Sequence, residues 1–302
     1  MKPAAEARAG RVAVHFGAHC LVQDAGGELV RCHVARRLGR PVCGDRVYWA
    51  RTDATDQGVL VEILPRRNEL LRHDARAQQR VMAANIDRLL VVLAPAPAPE
   101  LALLDRYLVA AELLGLQACL VFNKSDLLDA AARRQWESEL RPYAALDYRV
   151  LFTSLRSGEG LDRLRQWLAG QTGIVVGQSG VGKSSLVSAL VPDLALRTRQ
   201  LSEASGAGQH TTSTTRLYPL PGGNGCLIDS PGVRDFRLWP VTLADLVKGF
   251  REFAAAAALC RFPDCRHLQE PGCEIRHRVE AGAISPRRYA SYRQLAKWMG
   301  KG

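Results

Sequence analysis

Gly177-Gln-Ser-Gly-Val-Gly-Lys-Ser184 fits the pattern G-x-x-x-x-G-K-[ST], a loop built to hold a polyphosphate. Its glycines let the backbone come close to the phosphates, and successive N–H groups point inward to grip them. The flanks agree with this reading. Ile174-Val175-Val176 reads as a strand, and Ser184-Ser-Leu-Val-Ser-Ala-Leu190 reads as the helix that follows, so the positive end of a helix adds to the cradle. The expected phosphate contacts are Gly177, Gln178, Ser179, Gly180, Val181, Gly182 and Ser185. Lys183 would reach the outer phosphates, and the Ser184 hydroxyl would ligate Mg²⁺.

Upstream, Asn123-Lys124-Ser125-Asp126 follows the apolar run Ala118-Cys-Leu-Val-Phe122. An N-K-x-D at a strand end is the guanine-reading element of GTPases. One carboxylate, Asp126, can accept from both guanine N1–H and the exocyclic amine. Adenine offers neither pattern and would leave that carboxylate desolvated and unpaired. The Lys124 stem can lie along the base plane, and Asn123 can tie this loop to the phosphate loop. Thr153-Ser154, after Arg149-Val-Leu-Phe152, fits the loop that supports guanine O6. Asp229-Ser-Pro-Gly232, after Gly225-Cys-Leu-Ile228, fits D-x-x-G: Asp229 holds Mg²⁺ through water and the Gly232 N–H senses the γ-phosphate. Along the chain the order is base, base, phosphate, switch, switch, that is G4-G5-G1-G2-G3. This is a circular permutation, which a fold with surface termini tolerates.

That order, the 177–185 loop, the segment Gly208-Gln-His-Thr-Thr-Ser-Thr-Thr215 and the run Asp229-Ser-Pro-Gly-Val-Arg234 closely resemble the YjeQ/RsgA family of circularly permuted GTPases. The resemblance extends through Val42-Cys-Gly-Asp-Arg-Val47, Leu64-Pro-Arg-Arg67, Ala84-Asn-Ile-Asp87 and Cys260 to Cys273, and so covers nearly the whole chain. It implies a factor that binds the small (30S) ribosomal subunit and its 16S rRNA, assists late maturation, and hydrolyses GTP to GDP and phosphate under stimulation by the subunit.

The bulk properties are compatible with this. A chain of 302 residues, 47% hydrophobic, is long enough for two or three domains. No apolar run reaches the roughly 18 residues of a membrane helix, and the first ten residues lack a secretory core, so a cytoplasmic protein without a membrane partner is expected; a monomer is the separate expectation for its assembly. Disulfides are rare in that compartment, and the 8 cysteines read as buried thiols or metal ligands. The net charge of +11 is concentrated at the two ends. Residues 1–80 carry 14 Lys/Arg against 9 Asp/Glu, residues 81–240 carry 16 against 15, and residues 241–302 carry 11 against 6. Basic flanks around a near-neutral centre suit contact with a polyanion such as RNA, although charge also serves solubility.

The expected fold class is therefore a multidomain α/β protein with three regions. Residues 1–80 offer five short strands separated by Gly-rich turns, the signature of an OB-fold β-barrel that binds RNA. Exposed aromatics are few there, so backbone or shape contacts are favoured over base stacking. Arg66, Arg67, Arg72, Arg76 and Arg80 either line the RNA side or form a solvated linker. In residues 81–240, strands Leu89–Ala94, Ala118–Phe122, Arg149–Thr153 and Ile174–Val176 alternate with helices Leu101–Leu114, Ala130–Leu140 and Gly160–Leu168. This predicts a mostly parallel sheet with the nucleotide loops at its carboxyl ends. Residues 241–302 contain Cys260-x4-Cys265-x-His267-x5-Cys273, four ligands suited to a tetrahedral structural Zn²⁺, with His277 as the nearby substitute. A helix from Pro286 to about Trp298, with Arg287, Arg288, Arg293 and Lys297, either lies on RNA or is a solvated face.

Hydrolysis needs a group to orient water, and Val233, after D-x-x-G, cannot supply one. His210 is the catalytic candidate alongside Lys183; a loop histidine that touches RNA is the alternative. Thr211 or Thr212 completes the Mg²⁺ shell. The permutation also places the D-x-x-G segment close to the zinc region, which predicts that loss of the γ-phosphate tilts that region. The competing functional reading is an RNA-binding assembly factor whose nucleotide site only senses GTP against GDP. A third is an ATPase with a coincidental N-K-S-D.

Overall fold

The computed structural model describes residues 7–52, 57–73, 78–191, 194, 215–223, 225–230, 236 and 238–299. Five strands, β1 (Arg8–Phe16), β2 (His19–Asp24), β3 (Leu29–His33), β4 (Arg46–Arg51) and β5 (Gln57–Ile63), close into a barrel in the order β1-β2-β3-β5-β4. β3 pairs parallel with β5, and the other pairs are antiparallel. Alternate residues point inward, where Val12, Cys20, Val22, Val30, Cys32, Val47 and Leu60 surround Trp49. Gly58 makes room for that indole: a Cβ there would lie 2.9 Å from the Trp49 ring.

Between barrel and sheet lies a hairpin, β6 (Glu69–His73) and β7 (Gln79–Ala84), where the sequence suggested a linker. Arg66 is drawn inward and fastens the barrel down, while Arg67, exposed, is tied to the segment that follows the hairpin. Arg66 forks onto the fully buried Asp45 at 2.7 and 2.8 Å, and Asp45 also takes the Val42 amide at 2.8 Å. Arg67 reaches Asp87 at 2.8 Å, and its amide donates to Asn85. Asn85, buried and left-handed at φ 56°, also donates to the Gly44 carbonyl in the barrel. Arg76 lies outside the described residues, as does the side chain of Arg72; Arg80 is exposed.

The central sheet has the order β10-β9-β8-β11-β13-β12. Its strands are β8 (Arg88–Leu93), β9 (Gln117–Phe122), β10 (Arg149–Phe152), β11 (Gln171–Gly177), β12 (Arg216–Pro219) and β13 (Gly225–Asp229). All run parallel except β12. Both faces are covered, so the strands are apolar throughout rather than alternating. Leu89, Val91 and Leu93 face helices α1 (Leu101–Leu114) and α2 (Ala130–Ala144), whereas Leu90 and Val92 face α3 (Leu161–Leu168) and α4 (Lys183–Leu190). The second of these cores also takes in Ala13, Val14 and Leu21 of the barrel.

Four helices complete the described chain: α5 (Leu243–Lys248), α6 (Arg251–Ala257), α7 (Glu274–Glu280) and α8 (Pro286–Met299). They pack on the α1 face through Leu246, Phe250, Phe253, Tyr292 and Leu295. Two arginines expected on a solvated or RNA-facing helix surface are instead engaged inside. Arg288 is 1% exposed, and Arg287 is half-buried; both bind Asp105 of α1, at 2.9 and 2.8 Å. The α8 face is amphipathic in the sense opposite to a simple charge count, because Asp105 is itself fully buried and needs cations. Arg293 and Lys297 are exposed.

Candidate nucleotide site and metal centre

The carboxyl ends of β8, β9, β10 and β11 converge on one edge of the sheet, where Gly177, Asn123 and Ser154 are placed by the strands that precede them. Gly182 has φ +93°, and a Cβ there would lie 2.4 Å from Asn123 Nδ2, so only glycine fits. That close approach is used. Asn123, 1% exposed, donates to the Val181 carbonyl at 3.0 Å, and its Oδ1 accepts from Thr153 at 3.2 Å. The Lys124 ammonium, on a left-handed residue, donates to the Gly180 carbonyl at 2.7 Å and the Ala96 carbonyl at 3.1 Å. Segments 123–126, 153–154 and 177–185, separated along the chain, are therefore locked into one site.

On the base side, Ser154 Oγ donates to Asp126 at 2.6 Å and accepts from the amides of Arg156 and Ser157. Ser154 is buried while Asp126 is exposed, which leaves the Asp126 carboxylate open to an incoming donor pair. Ser125 is buried with its hydroxyl on Glu159 at 2.6 Å. Glu159 was not legible in the sequence, because it follows the 153–154 element in a turn without periodicity.

On the phosphate side, Lys183 is 7% exposed and its Nζ donates to the carbonyls of Gly177, at 2.9 Å, and Gln178. Burial lowers its basicity and Asp229 restores part of it; burial likewise raises the Asp229 carboxyl, against the pull of Lys183 and Arg216. Gln178 is fastened outward, accepting from the Glu100 amide at 3.0 Å and donating to the Glu100 carboxylate at 3.0 Å. Ser179, Gly180, Ser184 and Ser185 are exposed at the mouth, and Val181 is fully buried beneath it. Ser230, next to Asp229, binds the Val175 carbonyl at 3.1 Å and holds β13 beside the loop strand. A hard dication suits this set: an exposed hydroxyl on Ser184 and a desolvated carboxyl on Asp229 are oxygen donors of the Mg²⁺ type. His210, Thr211, Thr212 and Gly232 lie outside the described residues.

At the far end of the chain, one ligand atom from each of Cys260, Cys265, His267 and Cys273 falls within 4.8 Å of every other. His267 Nδ1 is 3.5 Å from both Cys260 Sγ and Cys273 Sγ. A tetrahedral zinc with ordinary Zn–S and Zn–N bonds requires an N···S edge of about 3.5 Å. The geometry therefore fits the ion. Burial pushes the Cys265 thiol up to about 12 and raises Cys273 as well, a cost that a bound dication reverses. The loop is held by neighbours: Tyr289 donates to the His267 carbonyl at 2.8 Å, and Tyr292 to the Arg266 carbonyl at 2.8 Å. Glu270 accepts the amides of Arg266, Leu268 and Gln269; burial opposes its ionisation, but these amides win and hold its carboxyl down to about 2. His277, the substitute ligand, is outside the cluster and sits beside Glu274.

The RsgA GTPase family model matches residues 63–239. The chain is 44% identical over 293 residues to the small ribosomal subunit biogenesis GTPase RsgA of Haemophilus influenzae (strain 86-028NP), covering 96% of this chain and 84% of that protein. The chain belongs to the RsgA GTPase family. Among solved structures, YjeQ from Thermotoga maritima superposes with a TM-score of 0.78 at 28% identity, over 97% of this chain and 99% of that one. YloQ, a circularly permuted GTPase, shares the fold with a TM-score of 0.76 at 24% identity, over 98% of this chain and 96% of that one. RsgA membership accounts for the permuted order of elements and for the barrel and the helical cysteine-bearing end around the GTPase sheet. Among the described residues, no helix is long and apolar enough to cross a membrane.

Proposed function

We propose that this chain is a GTP-hydrolysing assembly factor that binds the small ribosomal subunit, contacts its 16S rRNA and acts late in its maturation. The observation that carries this reading is the junction of base and phosphate elements. Asn123 bonds the Val181 carbonyl at 3.0 Å, and Lys124 bonds the Gly180 carbonyl at 2.7 Å. A ligand that spans Asp126 and Lys183 meets a carboxylate able to accept from guanine at one end and a cationic loop able to take a polyphosphate at the other, which suits a guanine nucleotide. The relative's name supplies the subunit, and the basic flanks supply a surface for its RNA.

In this reading Asp126 accepts from guanine, Ser154 orients Asp126, and the 177–185 amides with Lys183 take the phosphate charge. Mg²⁺ held by Ser184 and Asp229 supplies electrostatic stabilisation of the transferring group. His210 is proposed to orient the attacking water, with Thr211 or Thr212 and Gly232 closing on the γ-phosphate side. Division of labour follows 1–80 for RNA, 81–240 for GTP and 241–302 for the zinc-held helices, in a cytoplasmic monomer. GTP hydrolysis measured with and without purified 30S subunits tests this: the rate should rise in their presence. Asp126→Asn should shift preference from guanosine to xanthosine triphosphate, because the amide presents a donor where xanthine has a carbonyl. No stimulation by subunits, or ATP competing equally with GTP, would remove the proposal.

Zinc at Cys260, Cys265, His267 and Cys273 is structural here, since all four positions are filled by protein. Purified protein should contain one zinc per chain. Cys265→Ser should lose it and speed amide hydrogen exchange in 258–273, while the guanine site stays protected. Retention of stoichiometric zinc by Cys265→Ser would argue against this ligand set.

A further inference from the structure

Asp126 is exposed, yet guanine recognition needs its carboxylate fixed in one plane. Two routes fix it, and both end on the same residue. Through Ser154, whose hydroxyl holds Asp126 at 2.6 Å, the amide of Ser154 donates to the Glu159 carbonyl at 3.1 Å. Through Ser125, the direct neighbour of Asp126, the hydroxyl donates to the Glu159 carboxylate at 2.6 Å. The two routes differ in kind: the Ser154 route ends on the Glu159 main chain, which any residue there supplies, whereas the Ser125 route ends on the Glu159 carboxylate itself. Glu159 is itself fixed to α2: Arg133 reaches its two carboxylate oxygens at 2.7 and 3.3 Å, lies 4.8 Å over the Phe152 ring and pairs with Glu137. Arg133, ahead of burial and the Ser125 hydroxyl, governs the Glu159 carboxyl and holds it below the usual range, so the acceptor is charged at neutral pH.

We propose that the Glu159 side chain is a positioning group for guanine specificity, setting the Asp126 carboxylate through the neighbouring Ser125 without touching the base. This rests on the guanine reading of Asp126 given above. The base would bond Asp126 through two donors, N1–H and the exocyclic amine. A carboxylate free to rotate keeps one of those bonds more easily than both. Loss of the Glu159 side chain therefore weakens a guanine nucleotide more than a hypoxanthine nucleotide, which lacks the amine.

The test is displacement of mant-GDP by GDP and by IDP on the full-length, zinc-loaded chain. Glu159→Ala should lower the GDP-to-IDP preference about five-fold, the scale of one hydrogen bond. Glu159→Gln, which keeps an acceptor for Ser125, should restore most of it. Ser125→Ala should reproduce the loss, and combining it with Glu159→Ala should add little. If Glu159→Ala weakens GDP and IDP by the same factor, its role is only to hold the loop and the proposal fails. If Glu159→Ala does not fold, the Ser125→Ala ratio decides alone: a ratio equal to wild type overturns the proposal. A wild-type chain with no preference for GDP over IDP would instead defeat the guanine reading itself.

Discussion

Lys183→Ala lowers GTP turnover by about 10²–10³-fold or more, the scale on which one preorganised charge donor acts in a transition state. Lys183 is 7% exposed at the first turn of α4, with its ammonium on the Gly177 and Gln178 carbonyls of the loop that would wrap the phosphates. Alanine removes the ammonium that the loop itself carries and leaves its amides in place, so mant-GDP binding should weaken less than turnover falls. Single-turnover hydrolysis with 30S subunits present is the measurement. Turnover equal to wild type would sink the enzymatic reading. Lost turnover with subunit maturation intact would instead favour a factor that senses GTP without needing to hydrolyse it.

Arg288→Met costs about 3–5 kcal/mol of stability, the usual consequence of removing one partner from a buried ion network, and lowers the melting midpoint by roughly 10 °C. Asp105, fully buried on α1, accepts from Arg287, Arg288, Ser291 and Tyr143. Arg288 also holds Glu252 of α6, with one contact at 2.9 Å, and stacks 5.2 and 5.1 Å from the Tyr143 and Phe250 rings. Methionine keeps much of the apolar stem but takes from the Glu252 carboxylate the guanidinium it is paired with and leaves Asp105 with Arg287 as its cation. Adding Glu252→Gln should recover part of the loss, since the excess charge is then removed. Calorimetry of the two variants checks this, and an unchanged melting profile for Arg288→Met would refute it. The network also bears on coupling within the molecule. α1 carries Tyr107, which stacks on Phe236 at 4.4 Å just beyond the Asp229 element. A tilt of the terminal helices on the sheet, expected from the permuted order, has to act against this buried contact.

Several levels of this protein are legible in its sequence. The 177–184 loop, N-K-S-D and the C-x4-C-x-H-x5-C set each carry their chemistry in residue type at short spacing, so local sequence suffices to see them. α1 matches its expected bounds at both ends, because Pro99 and Glu100 before it and Gly115 after it are local stop signals. The hairpin 69–84 and strand β12 were missed although each pairs with the strand next to it in the chain: charged and amide side chains interrupt the apolar pattern of the first, and the second is only 4 residues long. Charge misled at Arg66, Arg287 and Arg288. A count of arginines cannot say which of them meet a buried carboxylate, and Asp45 and Asp105 become buried only when remote elements pack over them. Glu159 is the same case at the site. The chain's local chemistry determined which groups are available to hold base, phosphate and metal; the tertiary structure alone decided which side chains fix them in place, because desolvation and hydrogen-bond direction exist only after segments far apart in the chain have met.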